Sequence, residues 1–253
     1  MIIGISGKIN SGKDTIGKII QYLTCETTDG LSFEEINKKY NQLNFNSVTN
    51  WQIVKFADAL KDIVCILTGC TREQLEDINF KNSKLSNEWN IINTIPNIKE
   101  LGFKNAKSIK SYTYRELLQI LGTNLLRNQL HENIWINALF SKYKCSSKDK
   151  ECSSINSINC NYYNCEISGL PNWIITDVRF LNELNAIKER NGITIRVNRL
   201  SNYNNEKLYI SEHLSETSLD NANFDYIINN NSTIENLIIK VKEILIKEKI
   251  ICL

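Results

Sequence analysis

The chain is poor in the residues that mark fibrous, disordered or membrane-embedded proteins. Two prolines and ten glycines in 253 residues exclude a collagen-like repeat and proline-rich disorder. No run approaches the roughly 18 consecutive apolar residues of a membrane helix, so no membrane partner is expected. The opening stretch MIIGISGKINSGK has no basic n-region and no long apolar segment. The expectation is a cytoplasmic protein with reduced thiols. Eight cysteines stand at 25, 65, 70, 145, 152, 160, 165 and 252. None of the four between 145 and 165 forms the C-x-x-C pair of a zinc site, so that stretch reads as a loop rich in Ser, Asn and Cys. An excess of one charge sign is also missing: 30 basic against 28 acidic residues leave a formal charge of +2. That balance supports neither a polynucleotide partner nor a polybasic membrane anchor.

What is present fits a folded α/β domain. Hydrophobic residues make up 42% and charged residues 23%, close to the soluble globular average. Asn, Ile and Lys crowd the chain, which we read as coding bias. Ile2 to Ser6 is a short buried strand, followed by a Gly-rich turn and a helical pattern from Thr15 to Leu23. A short helix is predicted over Glu34 to Tyr40. Trp51 to Ala57 reads as a strand and Asp58 to Leu67 as a helix with Asp58 as N-cap. Thr71 and Gln74 fit a capping box. Residues 79–110 are polar and weakly patterned. Thr113 to Leu130 is the clearest helix, with a stripe of Leu117, Leu118, Leu121, Leu125 and Leu126. Ile134 to Tyr143 continues helical. Residues 144–170 read as a floppy polar insertion. Trp173 to Thr176, Ile193 to Val197 and Phe224 to Ile228 read as strands. Leu181 to Arg190 and Thr233 to Ile246 read as helices. Short buried strands alternating with helices predict an α/β fold with a central parallel sheet flanked by helices.

The segment Gly7-Lys8-Ile9-Asn10-Ser11-Gly12-Lys13-Asp14 matches G-x-x-x-x-G-K-[ST] except at its last position, with a strand before it and a helix after. The glycines let the backbone turn tightly so that N–H groups converge, and the helix N-terminus completes an anion site. Gly7, Lys8, Asn10, Ser11, Gly12, Lys13, Asp14 and Thr15 are the candidate ATP-binding residues. Lys13 would reach the β- and γ-phosphates. Asp14 stands where a Ser or Thr would touch Mg²⁺, and a carboxylate is also a hard oxygen ligand. A second carboxylate, Asp177, ends an apolar strand and is the other candidate Mg²⁺ ligand. Arg179 could hold a phosphate bidentately or serve as a structural partner of Asp177.

Gly7–Thr15 (GKINSGKDT), Phe56–Lys61 (FADALK), Arg115–Thr123 (RELLQILGT), Thr176–Glu183 (TDVRFLNE), His213–Thr217 (HLSET) and Phe224–Ile228 (FDYII) resemble the deoxynucleoside monophosphate kinases of bacteriophages and large DNA viruses. The similarity spans most of the chain but skips 25–48, much of 79–110, and 144–170. It implies an adenylate-kinase-like P-loop fold. It also implies transfer of the γ-phosphoryl group from ATP, with Mg²⁺, to a deoxynucleoside 5′-monophosphate of the dTMP, dGMP or dCMP class. By the same analogy one kinase domain carries a helical monophosphate-binding arm over 58–135 and a lid over 198–216. The phage relatives suggest a homodimer.

Under that resemblance Lys13, Asp177, Arg179 and the lid residue Arg199 are catalytic. Lys8, Phe56, Lys61, Arg115, Gln119, Thr123, Arg127, Trp135 and Arg179 bind the acceptor. The residues alone leave alternatives. Arg115 and Arg127 lie twelve positions apart, roughly one helical face, and either could be a solvated charge. Gln119 could read a base edge or be a surface amide. Phe56, Tyr114 and Trp135 could stack on a base or fill the core. His131 reads as structural. Asn229–Ser232 could hold adenine or simply turn the chain. Animal phosphomevalonate kinases look similar in the same segments, and a non-catalytic P-loop homologue is a further alternative. A GTPase is disfavoured because Asn37-Lys38-Lys39-Tyr40 lacks the final Asp of a guanine motif.

Overall fold

A computed structural model describes residues 1–25, 30–40, 49–94, 107–144, 170–199 and 217–252. Contacts divide the chain into two compact units. One is Met1–Phe56 together with Leu139–Leu253, the other Ala57–Ala138. The expected insertion at 144–170 and lid at 198–216 fall almost wholly outside the described residues.

The first unit is built on strands β1 (Ile2–Gly7) and β2 (Trp51–Val54) with helices α1 (Lys13–Leu23) and α2 (Phe33–Tyr40). Its later elements continue the numbering after those of the second unit. That second unit holds α3 (Asp58–Thr68), α4 (Arg72–Glu76), α5 (Ile78–Asn82), a 3₁₀ turn (Asn87–Trp89), β3 (Ile91–Thr94), β4 (Lys107–Lys110) and α6 (Tyr114–Gln119). A π-helix over Ile120–Leu130 follows, and α7 spans Ile134–Phe140 across the boundary. The first unit resumes with β5 (Asn172–Val178), α8 (Leu181–Lys188), β6 (Ile193–Asn198), β7 (Tyr226–Asn229) and α9 (Ile234–Lys247).

Five strands form one parallel sheet in the order β2-β5-β1-β6-β7. The expected α/β fold with a central parallel sheet flanked by helices is therefore present. Alternation along β1 sends successive side chains to opposite faces. Ile3 and Ile5 join Ile16, Ile19 and Ile20 of α1 and Leu237, Val241 and Leu245 of α9 in one core. Ile16, Ile19 and Ile20 are fully buried, each worth about 1.5–3 kcal/mol of transfer free energy. Gly4, on the opposite face, lies under α8; a Cβ there would sit 2.5 Å from Ile187 Cδ1. Gly17 allows an equally close approach of α1 to β5, since its Cβ would come 2.8 Å from the Thr176 methyl.

The β1–β5 register slips by one residue. Gly4 faces Ile175 while Ser6 faces Val178, so Thr176 and Asp177 together oppose Ile5. Such a bulge re-aims side chains and is common beside active sites. The strand expected to stop at Thr176 thus runs on through Asp177 to Val178.

In the second unit, Asp58 is not the cap of α3. Ala57 occupies that position without a side-chain bond. The Asp58 carboxylate is taken by Arg72, whose Nη2 donates to Oδ1 at 2.7 Å while Nη1 donates to the Asp58 carbonyl at 2.7 Å. The capping box of Thr71 and Gln74 is present. A second box starts α6, with Glu116 N donating to Thr113 Oγ1 at 3.1 Å and Thr113 N to Glu116 Oε2 at 2.8 Å. The weakly patterned 79–110 region contains the antiparallel pair β3–β4, with Ile91 opposite Lys110 and Thr94 opposite Lys107. Four residues per strand are too few to show a period of two.

The single helix expected over Thr113–Leu130 changes form after Gln119. Its i→i+5 bonding, as in His131 N to Leu126 O at 3.0 Å, widens the turn and shifts the phase of later residues. Leu125 is accordingly 40% exposed, outside the expected stripe. The α-helical arithmetic that put Arg115 and Arg127 on one face does not hold. Within this segment the Trp135 indole Nε1 donates to the buried Gly122 carbonyl at 2.8 Å. Trp135→Phe keeps most of the packing volume but leaves that carbonyl without its donor. Urea denaturation is expected to show a loss of about 1–3 kcal/mol.

Candidate active site

The site is assembled at the carboxyl end of β1, the middle strand of the sheet. The chain leaves β1 at Gly7, turns with Ser11 N donating to Lys8 O at 3.1 Å, and enters α1 at Lys13. Gly12 occupies the N-cap position in the left-handed region, φ 100° and ψ 21°, where a side chain is strained. A Cβ on Gly12 would also lie 2.5 Å from Asn230 Nδ2. Asn10, at φ 61°, is one of the few non-glycine residue types that tolerate this region. Among the described residues no side chain caps α1, which leaves its first N–H groups available to an anion.

The loop is braced from behind. Asn230, just past β7, donates from Nδ2 to Ser11 O at 2.9 Å and from its backbone N to Asn198 O at 2.7 Å. Of the Asn229–Ser232 stretch, this residue therefore does more than turn the chain. The Ser11 side chain is 2% exposed and its Oγ has no hydrogen-bond partner among the described residues. Lys13 Nζ folds over the loop and donates to Gly7 O at 2.7 Å and Lys8 O at 2.8 Å. Thr15, one residue past Asp14, is half-buried.

Asp14 and Asp177 are both held in place. Asp14 Oδ1 accepts from Thr176 Oγ1 at 2.7 Å and faces Lys55 Nζ at 3.0 Å. Partial burial pushes the Asp14 carboxyl up, but Lys55, the Thr176 hydroxyl and Lys13 outweigh it and hold the group below the usual carboxylate range. Asp177 Oδ1 accepts from Phe56 N at 2.8 Å. The bulge lets neighbouring residues of β5 serve two ends of the site. Lys55 and Thr176 escaped the sequence reading. Lys55 immediately precedes the quoted FADALK segment, and Thr176 opens TDVR.

Four further cations lie on or next to the loop and the strand ends. The Arg179 backbone is clamped: its N donates to Glu183 Oε2 at 2.8 Å and its carbonyl accepts from Ser218 Oγ. Arg199 is exposed just past β6. Lys8, 64% exposed, pairs with Asp220 at 3.5 Å. Arg196, unnoticed in the sequence, donates to Ser6 Oγ at 3.1 Å and to Asp220 Oδ1 at 2.8 Å.

The remaining acceptor-site candidates divide by environment. Phe56 is 3% exposed and meets Phe140 edge to face at 6.1 Å, packed as a core aromatic among the described residues. Trp135 is likewise buried, 5% exposed and bonded to Gly122. The others lie in the Ala57–Ala138 unit. Lys61 is ion-paired with Glu76. Arg115 Nε donates to Asn82 Oδ1 at 2.8 Å. Gln119 is exposed at the end of α6, and Thr123 is half-buried in the π-helix. Arg127 is 6% exposed, so it is not the solvated helix charge that was one alternative. Tyr114 packs against Phe80 with ring centres 4.4 Å apart and planes tilted by 34°.

Among the described residues no group of three or more His, Cys, Asp or Glu is arranged to hold a metal ion, and no helix is long and apolar enough to cross a membrane. Comparison with curated proteins finds no match. The sequence does match the family described as deoxynucleotide monophosphate kinase over residues 38–241. The matched stretch starts beyond the phosphate loop and takes in β2, β5, β6, β7 and the whole Ala57–Ala138 unit. A family match over most of the chain therefore joins a phosphate loop found independently at the carboxyl end of β1. The chain belongs to the deoxynucleotide monophosphate kinases, enzymes that transfer a phosphoryl group from ATP to a deoxynucleotide monophosphate.

Proposed function

We propose that the acceptor is a deoxynucleoside 5′-monophosphate of the dTMP, dGMP or dCMP class, and that Asp14 and Asp177 hold Mg²⁺. The observation that carries this reading is the meeting, at one end of the sheet, of a helix N-terminus uncapped among the described residues, Lys13 and two carboxylates. The donor set fits the metal: both carboxylates and the Thr176 hydroxyl are hard oxygens. When bound, Mg²⁺ supplies charge neutralisation for the donor phosphates.

The protein's own part is positioning and charge placement. Lys13 exchanges its two carbonyl partners for a phosphate oxygen, replacing neutral acceptors by a charge-assisted bond. Arg179 and Arg199 neutralise the transferring group. Lys8, at the rim of the loop, bridges donor and acceptor phosphates. The Ala57–Ala138 unit supports a reading as the monophosphate-binding arm expected over 58–135. In it Arg115, Gln119, Thr123 and Arg127 contact the acceptor, Lys61 holds Glu76, and Trp135 acts through packing. No general base is required. The enzyme works in the cytoplasm as a homodimer.

A coupled assay of ADP formation across the common deoxynucleoside monophosphates and phosphomevalonate tests this directly. Turnover of at least one of dTMP, dGMP and dCMP is expected. Inertness toward all of them overturns the substrate reading. Lys13→Ala is expected to lower kcat by about 10²–10³-fold, as for loss of one transition-state donor, with the fold retained by circular dichroism.

The depressed Asp14 carboxyl has a defined pH signature. A group whose folded value lies below its unfolded value contributes stability above the unfolded value, about 3.9 for Asp. That contribution is lost as pH falls through the folded value. Lys55→Met removes the main opposing charge. The stability gap between wild type and Lys55→Met should be full at pH 7 and shrink as the pH falls below about 4, measured by urea denaturation at each pH.

A further inference from the structure

The turn at 217–222 touches three parts of the phosphate site at once. It is anchored by Leu219, 3% exposed, and closed by Asp220 N to Thr217 O at 3.1 Å and Ala222 N to Leu219 O at 3.2 Å. Ser218 Oγ donates to the Arg179 carbonyl. Asp220 uses both carboxylate oxygens. Oδ1 accepts from Arg196 Nη2 at 2.8 Å and Oδ2 faces Lys8 Nζ at 3.5 Å.

These two contacts differ in kind. Arg196 sits on β6 directly beside Ser6 of β1 in the parallel register. Its side chain is 12% exposed, it donates to Ser6 Oγ at 3.1 Å, and its Cζ stands 5.8 Å from the Phe224 ring centre. A planar guanidinium fixed on two sides gives Asp220 a rigid partner. Lys8 is 64% exposed and its contact is long; a pair of that kind adds little to stability. The stable half of the arrangement orients the carboxylate. The loose half sets where an ammonium on a mobile stem spends its time.

We propose that Asp220 is a positioning residue of the phosphoryl transfer, held by Arg196 so that its second oxygen sets the Lys8 ammonium at the rim of the phosphate loop. This rests on the reading of that loop as the phosphoryl-transfer site. The carboxylate does not touch the substrates and acts through Lys8. By engaging Lys8 it also withholds part of that lysine's charge from a bound triphosphate, so placement of the lysine comes at some expense of ground-state binding.

The test is a double-mutant cycle of Lys8→Met and Asp220→Asn in the full chain. Asp220→Asn keeps the shape and an oxygen for Arg196. The readouts are kcat, KM for ATP, the ATP dissociation constant at equilibrium, and the melting temperature. In the parent background Asp220→Asn is expected to lower kcat about ten-fold, without raising KM for ATP or the dissociation constant. In the Lys8→Met background the same substitution is expected to change kcat less than two-fold, a non-additivity that interacting residues show. Equal losses in both backgrounds, or a rise in KM accompanied by a fall in melting temperature, overturn the proposal. So does an unchanged kcat for Asp220→Asn in the parent. Should the parent be inert toward every nucleoside monophosphate, the substrate reading falls, and the equilibrium ATP cycle decides Asp220 separately. A dissociation constant that Asp220→Asn lowers in the parent and not in Lys8→Met upholds the pairing, and a rise, no change in the parent or identical shifts in both overturn it.

Discussion

A phosphate-binding loop works only if several backbone N–H groups are left without protein partners and aimed at one place. Such groups are costly wherever they are buried, so the surrounding structure must hold them firmly. Here the constraint is met from three sides. Asn230 holds Ser11 O from the end of β7 at 2.9 Å. Thr176 holds Asp14 from β5 at 2.7 Å. Lys13 closes over Gly7 O and Lys8 O. The sheet matters to function mainly because it brings the ends of β5, β1, β6 and β7 to these points.

Charge organisation follows from the same geometry. A formal charge of +2 gives no hint of a polyanionic ligand, yet Lys8, Lys13, Lys55 and Arg196 all lie on the loop or on the strands and strand ends around it. Each is held by an acceptor: Asp220 for Lys8 and Arg196, Asp14 for Lys55, loop carbonyls for Lys13. Without those acceptors the cations would repel one another. With them the site keeps its shape.

How much of this the sequence reveals depends on separation along the chain. The loop is legible because Gly7, Gly12 and Lys13 lie within one turn of each other and the chemistry fixes their spacing. The capping boxes at Thr71 and Thr113 are legible for the same reason. The order of strands and helices follows from local hydrophobic patterns. The partners of the loop are not legible. Thr176 is 162 residues from Asp14, and Asn230 is 219 from Ser11. No local pattern marks an Asn past a strand as a brace. The bulge that places Thr176 and Asp177 arises from the match between two strands, which neither strand's sequence contains. The π-helix misled the reading differently: five leucines fit an α-helical stripe well enough to hide the wider turn. Phe56 and Trp135 show the limit for aromatics, since composition does not distinguish a ring in the core from one at a ligand.

The brace on the loop comes from the margin of the sheet. Asn230 follows β7, which is four residues long and an edge of the sheet among the described strands, with Ile227 64% exposed. Edge strands open locally at a free-energy cost far below that of global unfolding. Each such opening withdraws Asn230 from Ser11 while the rest of the domain stays folded. The geometry of the loop is thereby tied to a short strand at the sheet's edge.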